Sequence, residues 1–121
     1  MIVQTKDLKG RALCWAVDVA MGTAPDLALS RVTLGRANYD TDWNLTGPLM
    51  EYHGVEPYRV GGEIRAAIKF TERKNTGNGF AVTTKAFRSY PGHDYLTAVC
   101  RCLVGSLLGQ EVDVPEALMK D

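Results

Sequence analysis

Three cysteines and two histidines are the residues best suited to nucleophilic or metal chemistry, and their spacing argues against both. Cys100 and Cys102 stand two apart on a helical pattern, so their side chains point about 200° apart and cannot share a metal. Cys14 falls within the first helical pattern. All three read as reduced, buried thiols, the usual fate of free cysteine in a cytosolic protein. His53 and His93 have Asp40, Asp42 and Asp94 as candidate companions, but no spacing brings them together. A catalytic zinc needs three protein ligands, and a Cys–His pair needs its base within hydrogen-bond reach of the thiol. The chain has no Gly-rich phosphate loop, CxxC, HExxH or GxSxG motif. The expectation is a protein that is not an enzyme, with no catalytic residue, no metal and no cofactor.

Two clusters suit binding instead. Asp42-Trp43 is the first, with Gly47, Pro48 and Glu51 completing a candidate surface. A Trp after a polar loop can anchor the loop on the core, its indole N–H satisfied by a nearby acceptor. It can equally be an interface hot spot, where Trp is enriched. The second cluster lies in a basic hairpin over residues 63–88. Arg65, Lys69 and Arg73 fall on one face of a strand, and Lys85 and Phe87 lie on the next. Lys and Arg clusters bind phosphates, and an aromatic among them stacks a base. The competing explanation is a solvated outer sheet face, which normally carries charge.

Charge separates these readings. The chain carries 14 Lys and Arg against 14 Asp and Glu, a formal net charge of zero. A neutral molecule has no long-range pull on nucleic acid or anionic membrane, and nucleic-acid domains usually have a basic balance. Locally, Arg59 to Arg88 holds seven basic residues against Glu63 and Glu72, while the tail from Glu111 leans acidic. A partner protein is therefore the expectation, with nucleic acid as the alternative. The opening Met-Ile-Val-Gln-Thr-Lys has no apolar signal region, and no apolar run approaches the roughly 20 residues of a membrane span. A cytoplasmic setting and no membrane partner are expected.

The elements that must position these residues follow from periodicity. The 121 residues suit a single domain over 1–121, with ordinary hydrophobic content (45%) and no repeat. Leu8, Ala12, Trp15, Ala16 and Val19 recur at helical spacing, with Thr5 or Asp7 as cap and Gly22 as stop. Leu27 to Leu34 looks extended, and Gly35 to Asp42 reads as a loop. Thr46-Gly47-Pro48 suggests the start of a short helix ended by Gly54, since Pro favours the first helical position. Glu63 to Glu72 alternates with Ile64, Ala66, Ile68 and Phe70 on one face, and Phe80 to Phe87 returns. Pro91 to Asp94 breaks the chain, and Asp94 caps a long helix over Tyr95 to Leu108, with Arg101 structural. Val112 and Val114 are extended, and Pro115 to Leu118 forms a last turn. Small residues at Ala98, Cys102, Gly105 and Ser106 match the Ala12-Ala16-Ala20 stripe, which suggests close helix contact within the chain or across a homodimer. The sum is an α+β fold: a small antiparallel sheet around a hairpin, with an N-terminal helix, a short central helix and a long C-terminal helix packed on it.

Three stretches resemble one family. Leu8-Lys9-Gly10-Arg11-Ala12-Leu13-Cys14-Trp15-Ala16-Val17, the Asp42-Trp43…Gly47-Pro48 segment, and Leu96 to Ser106 running on to Pro115 are together similar to the NinX-like family of short phage and prophage proteins. The stretch Gly61 to Ser89 departs from that pattern. The resemblance implies a phage or prophage origin and a bacterial cytoplasm, and together with the missing catalytic groups and the neutral charge balance it makes a host or phage protein the expected partner. It implies no activity.

Overall fold

The chain's two ends are zipped together. In a computed structural model describing residues 1–75 and 81–119, with side chains over 1–68 and 88–119, β1 (Ile2–Gln4) pairs antiparallel with β5 (Glu111–Asp113). The Thr5 amide donates to the Gln110 carbonyl at 2.8 Å, and the Thr5 hydroxyl donates to the Gly109 carbonyl at 2.6 Å. That seam corrects the expected start of the first helix. Thr5 and Asp7 do not cap it, because Thr5–Asp7 forms a separate 3-10 turn whose Thr hydroxyl is spent on the C-terminal segment. Helix α1 (Gly10–Ala20) starts beyond it and is buried continuously from Ala12 to Asp18.

The segment expected to be extended at Leu27 to Leu34 is helical instead: α2 runs Pro25–Thr33. Pro25 and Asp26 open its first turn, and Ala28 and Val32, four apart, are its buried positions. Leu27 lies exposed, and α2 rests on α1. Loop residues 35–42 follow as expected, with Ala37 and Tyr39 buried in the helical core.

Helix α3 (Trp43–His53) begins earlier than the Gly47-Pro48 pair suggested. Asp42 caps it by accepting from the Asn44 amide at 2.9 Å, and Gly47 and Pro48 therefore lie inside the helix. Pro48 removes the bond to the Asn44 carbonyl, which is tolerable because Asn44 is exposed to water. Gly54 ends α3 as expected, with a left-handed φ of 70°.

A strand that periodicity did not reveal comes next. β2 (Val55–Val60) turns into β3 (Glu63–Asn75) through Gly61-Gly62, whose φ values of 57° and 83° suit a two-residue hairpin loop. β3 pairs with β4 (Ala81–Gly92), giving an antiparallel sheet in the order β2-β3-β4. The return strand thus continues through Pro91, which sits opposite Arg65 on an edge strand where no donor is needed. Phe80, expected to open that strand, lies outside the described residues.

Helix α4 (Tyr95–Leu107) is the centre of the α+β fold. Asp94 caps it, accepting from the Thr97 amide at 2.7 Å. One side (Cys100, Val104) joins the core of α1 and α2, with Val112 and Val114 closing it. The other side (Ala98, Val99, Cys102, Leu103) packs on Val55, Ala66, Ile68 and Tyr90 of the sheet. The small-residue flank of α4 therefore faces the sheet, correcting the expectation that it meets the alanines of α1. The Tyr90 ring needs that room: a Cβ added at Gly105 would fall inside it. Arg101 is structural as expected, though its guanidinium reaches backbone, donating to the Leu8 carbonyl at 2.7 Å and the Pro91 carbonyl at 2.8 Å.

Candidate functional site

Asp42, Trp43, Gly47, Pro48 and Glu51 gather at the head and outer face of α3. The inner face is occupied: Thr46 is fully buried with its hydroxyl donating to the Tyr39 carbonyl, and Leu45, Leu49 and Met50 pack on the two cores. Spacings of four place Trp43, Gly47 and Glu51 in one row and Asn44, Pro48 and Tyr52 in the next. Trp43 is 47% exposed and Tyr52 85% exposed. Among the described residues, nothing stands within 4 Å of a Cβ built at Gly47, so the helix is open to solvent at that point. The two readings of Trp43 now separate. The anchoring role belongs to Trp15, which is 6% exposed and donates its indole N–H to the Pro25 carbonyl at 3.1 Å. Asp42 contributes mainly as a cap. Tyr52 was missed because a lone Tyr late in a short helix gives no sign of which side it faces.

In the basic hairpin, Arg65 is clamped on its own sheet. Its Nε donates to Ser89 Oγ at 2.8 Å, Nη2 to the Ser89 carbonyl at 3.2 Å and Nη1 to Glu63 Oε1 at 2.8 Å. The ladder pairs Lys69 with Phe87, Thr71 with Lys85 and Arg73 with Thr83. The side chains of Lys69, Arg73, Lys85 and Phe87 lie outside the described residues.

Cations that the sequence scattered do meet elsewhere. Between the edge of β4 and the β1–β5 seam lies a cleft of about 530 Å³. Lys6, Arg65 and Arg88 line it with Gln4, Ser89 and Gln110, and among the described residues none that lines it is acidic. Arg88 Nη1 approaches the Gly105 carbonyl at 3.4 Å. No sequence pattern marks this cleft, because its residues come from four separate stretches: Gln4 and Lys6, Arg65 on β3, Arg88 to Pro91 on β4, and Gln110. A second cleft, about 410 Å³, opens by the start of α1 and mixes Lys9, Arg11 and His93 with Asp7 and Asp40 over an apolar floor.

The residues first considered for catalysis are occupied in structural roles. The Cys14 thiol donates to Asp40 Oδ1 at 3.0 Å; burial, then this bond, pushes its pKa up to about 12. Burial raises Cys102 to about 12 and also raises Cys100, whose thiol donates to the Tyr39 carbonyl at 3.4 Å. A thiol is nucleophilic as its thiolate, so these sulfurs are poor nucleophiles near neutrality. Asp94 caps α4 and lies 3.1 Å from exposed His93, while His53 meets Tyr52 edge-on at 5.0 Å between ring centroids. Among the described residues, no three His, Cys, Asp or Glu are grouped to hold a metal, and no helix is long and apolar enough to cross a membrane. Asp18, which the sequence did not single out, is 1% exposed and accepts from Arg31 Nε and the Tyr39 hydroxyl, each at 2.8 Å. It joins α1, α2 and the 35–42 loop. Compared with known proteins, the chain matches no family model and no curated relative.

Proposed function

We propose that this chain is a small phage or prophage accessory protein of NinX-like type, working in the bacterial cytoplasm by docking another protein on the outer face of α3, without catalysis. The observation that carries this reading is the exposed Trp43 indole at the head of a helix whose inner face is fully used by the core. Trp and Tyr are enriched among the few residues that carry most of an interface's binding energy. The same face is acidic: α3 contains no Lys or Arg, while Asp42 and Glu51 flank it. The fitting partner is a protein with an apolar groove for the indole and a basic rim.

A tagged pull-down from bacterial lysate, split into nuclease-treated and untreated halves, tests this. The expected result is a discrete protein that survives nuclease and is retained by Lys9→Gln. Capture should fall at least ~10-fold for Trp43→Ala, the scale of a hot-spot truncation. Equal capture by Trp43→Ala, or loss of the protein on nuclease treatment, overturns the reading.

A further inference from the structure

We infer that the cleft between the β4 edge and the terminal seam is a binding site for the phosphate group of a ligand, separate from the α3 face. Its volume of about 530 Å³ falls in the roughly 300–1,000 Å³ range of small-molecule sites. Among the described residues, three cations line it and no carboxylate does, and one of the three, Arg65, is ion-paired with Glu63 just outside, in a chain whose total charge is zero. Such a local excess of one sign in a concave site concentrates ions of the opposite sign. Two acids beside the lining residues are bonded to them: Glu63 accepts from Arg65 Nη1 and meets part of that guanidinium's charge, and Glu111 accepts from Gln4 Nε2 at 3.0 Å.

One of the donors is also held in place. Ser89 holds the Arg65 guanidinium through Nε and Nη2. Three of its five N–H groups are spent, which leaves one on each terminal nitrogen in a side chain already ordered. Little rotamer entropy then remains to be lost on binding. The Lys6 ammonium, exposed on the 3-10 turn, has no hydrogen bond or ion pair among the described residues. Gln110 likewise brings an uncommitted side-chain amide. Planar guanidinium plus mobile ammonium is the donor set that proteins use on phosphate oxygens.

Titration of the full chain with inorganic pyrophosphate, followed by amide NMR, tests the site. The expected result is saturable shifts confined to Gln4, Lys6, Ser89 and Gln110, weakening several-fold between about 50 and 200 mM salt. Lys6→Gln should weaken binding about 5-fold or more, on the scale of one lost charge-assisted hydrogen bond. Lys9→Gln on the other cleft and Trp43→Ala on α3 should bind like the parent. Because Lys6 is exposed, its variant folds regardless, and Arg88→Gln provides a second. A short oligo-dT run beside pyrophosphate tells the phosphate sources apart. Much tighter oligo-dT binding, still sensitive to Lys6→Gln, assigns the site to a phosphodiester strand, and equal binding assigns it to a small phosphorylated ligand. Either result supports the phosphate site. No localised shift at about 10 mM pyrophosphate, far above the affinity of a working anion site, overturns it, as does a Lys6→Gln response equal to that of Lys9→Gln.

Discussion

The two sides of α4 are both fully buried, yet they are held by different means. Cys100 and Cys102, two residues apart, each reach zero exposure on opposite sides of the helix. On the Cys100 side, helices and loop meet through polar stitches: Asp18 with Arg31 and Tyr39, Cys14 with Asp40, and Thr46 with the Tyr39 carbonyl. On the Cys102 side, Ala66, Ile68 and Tyr90 meet Val99 and Leu103 by shape, with Gly105 hollowed for the Tyr90 ring. Irregular loop backbone such as residues 35–42 carries unpaired polar groups that must be met by side chains, whereas a sheet meets its own. One side therefore depends on hydrogen-bond partners and the other on volume.

The largest effect should come from volume. Gly105→Ala places a Cβ inside the Tyr90 ring, and overpacking of this kind costs about 3 kcal/mol. Helix propensity alone favours Ala over Gly by ~1 kcal/mol, so the sign of the change in urea denaturation decides the matter. Trimming the ring in a Gly105→Ala, Tyr90→Leu double variant should recover part of the loss, and additivity would break the comparison.

On the polar side, Asp18→Ala leaves the buried Tyr39 hydroxyl without its acceptor. The expected loss is about 2 kcal/mol, because Arg31 is partly exposed and can turn to water. Asp18→Asn, which keeps an acceptor oxygen, should lose less in the same denaturation experiment.

Alkaline pH probes both sides at once. Burial raises Cys14, Cys102 and Tyr39 to about 12 each, from ordinary values of 9.0, 9.0 and 10.0. For groups raised on folding, stability is fully present below the unfolded pKa and falls as pH rises through the folded one. The urea midpoint should hold level to about pH 8 and drop between roughly 9 and 12, by up to ~1.4 kcal/mol per pH unit for each thiol in that window. Cys14→Ala and Cys102→Ala should each flatten the drop, one from either side of α4.

The smallest effect on folding should fall where binding is proposed. Trp43→Ala should change stability by about 0.5 kcal/mol or less, since truncating an exposed side chain leaves no cavity. Acrylamide quenching should find one accessible indole in the parent and none in this variant, leaving the buried Trp15. A loss above 2 kcal/mol would make Trp43 a core residue.

How much of this was legible depended on the strength of local pattern. The hairpin of β3 and β4, the helix α4 and its Asp94 cap stand in the sequence because alternation, an apolar stripe and a capping side chain are local signals. β2 did not, since Val-Glu-Pro-Tyr-Arg-Val is a mostly exposed edge with no alternation to read. α2 was misread because nine residues with Leu at alternate positions fit either period, and packing on α1 chose the helix. Of the candidate surfaces, the α3 face was readable as a cluster but not as exposed, and the Lys6–Arg65–Arg88 cleft was not readable at all.

The sequence by itself determined the α+β class, the sheet's central hairpin and the last helix, because residues within a few positions of one another set those periods. Only the tertiary structure decided that Trp15 is buried and Trp43 exposed, and that Cys14 meets Asp40 rather than a histidine. It also decided that the two termini close a cationic cleft against β4. Each of these depends on which segment packs against which, and that is settled by long-range burial and hydrogen bonding that no single stretch of chain encodes.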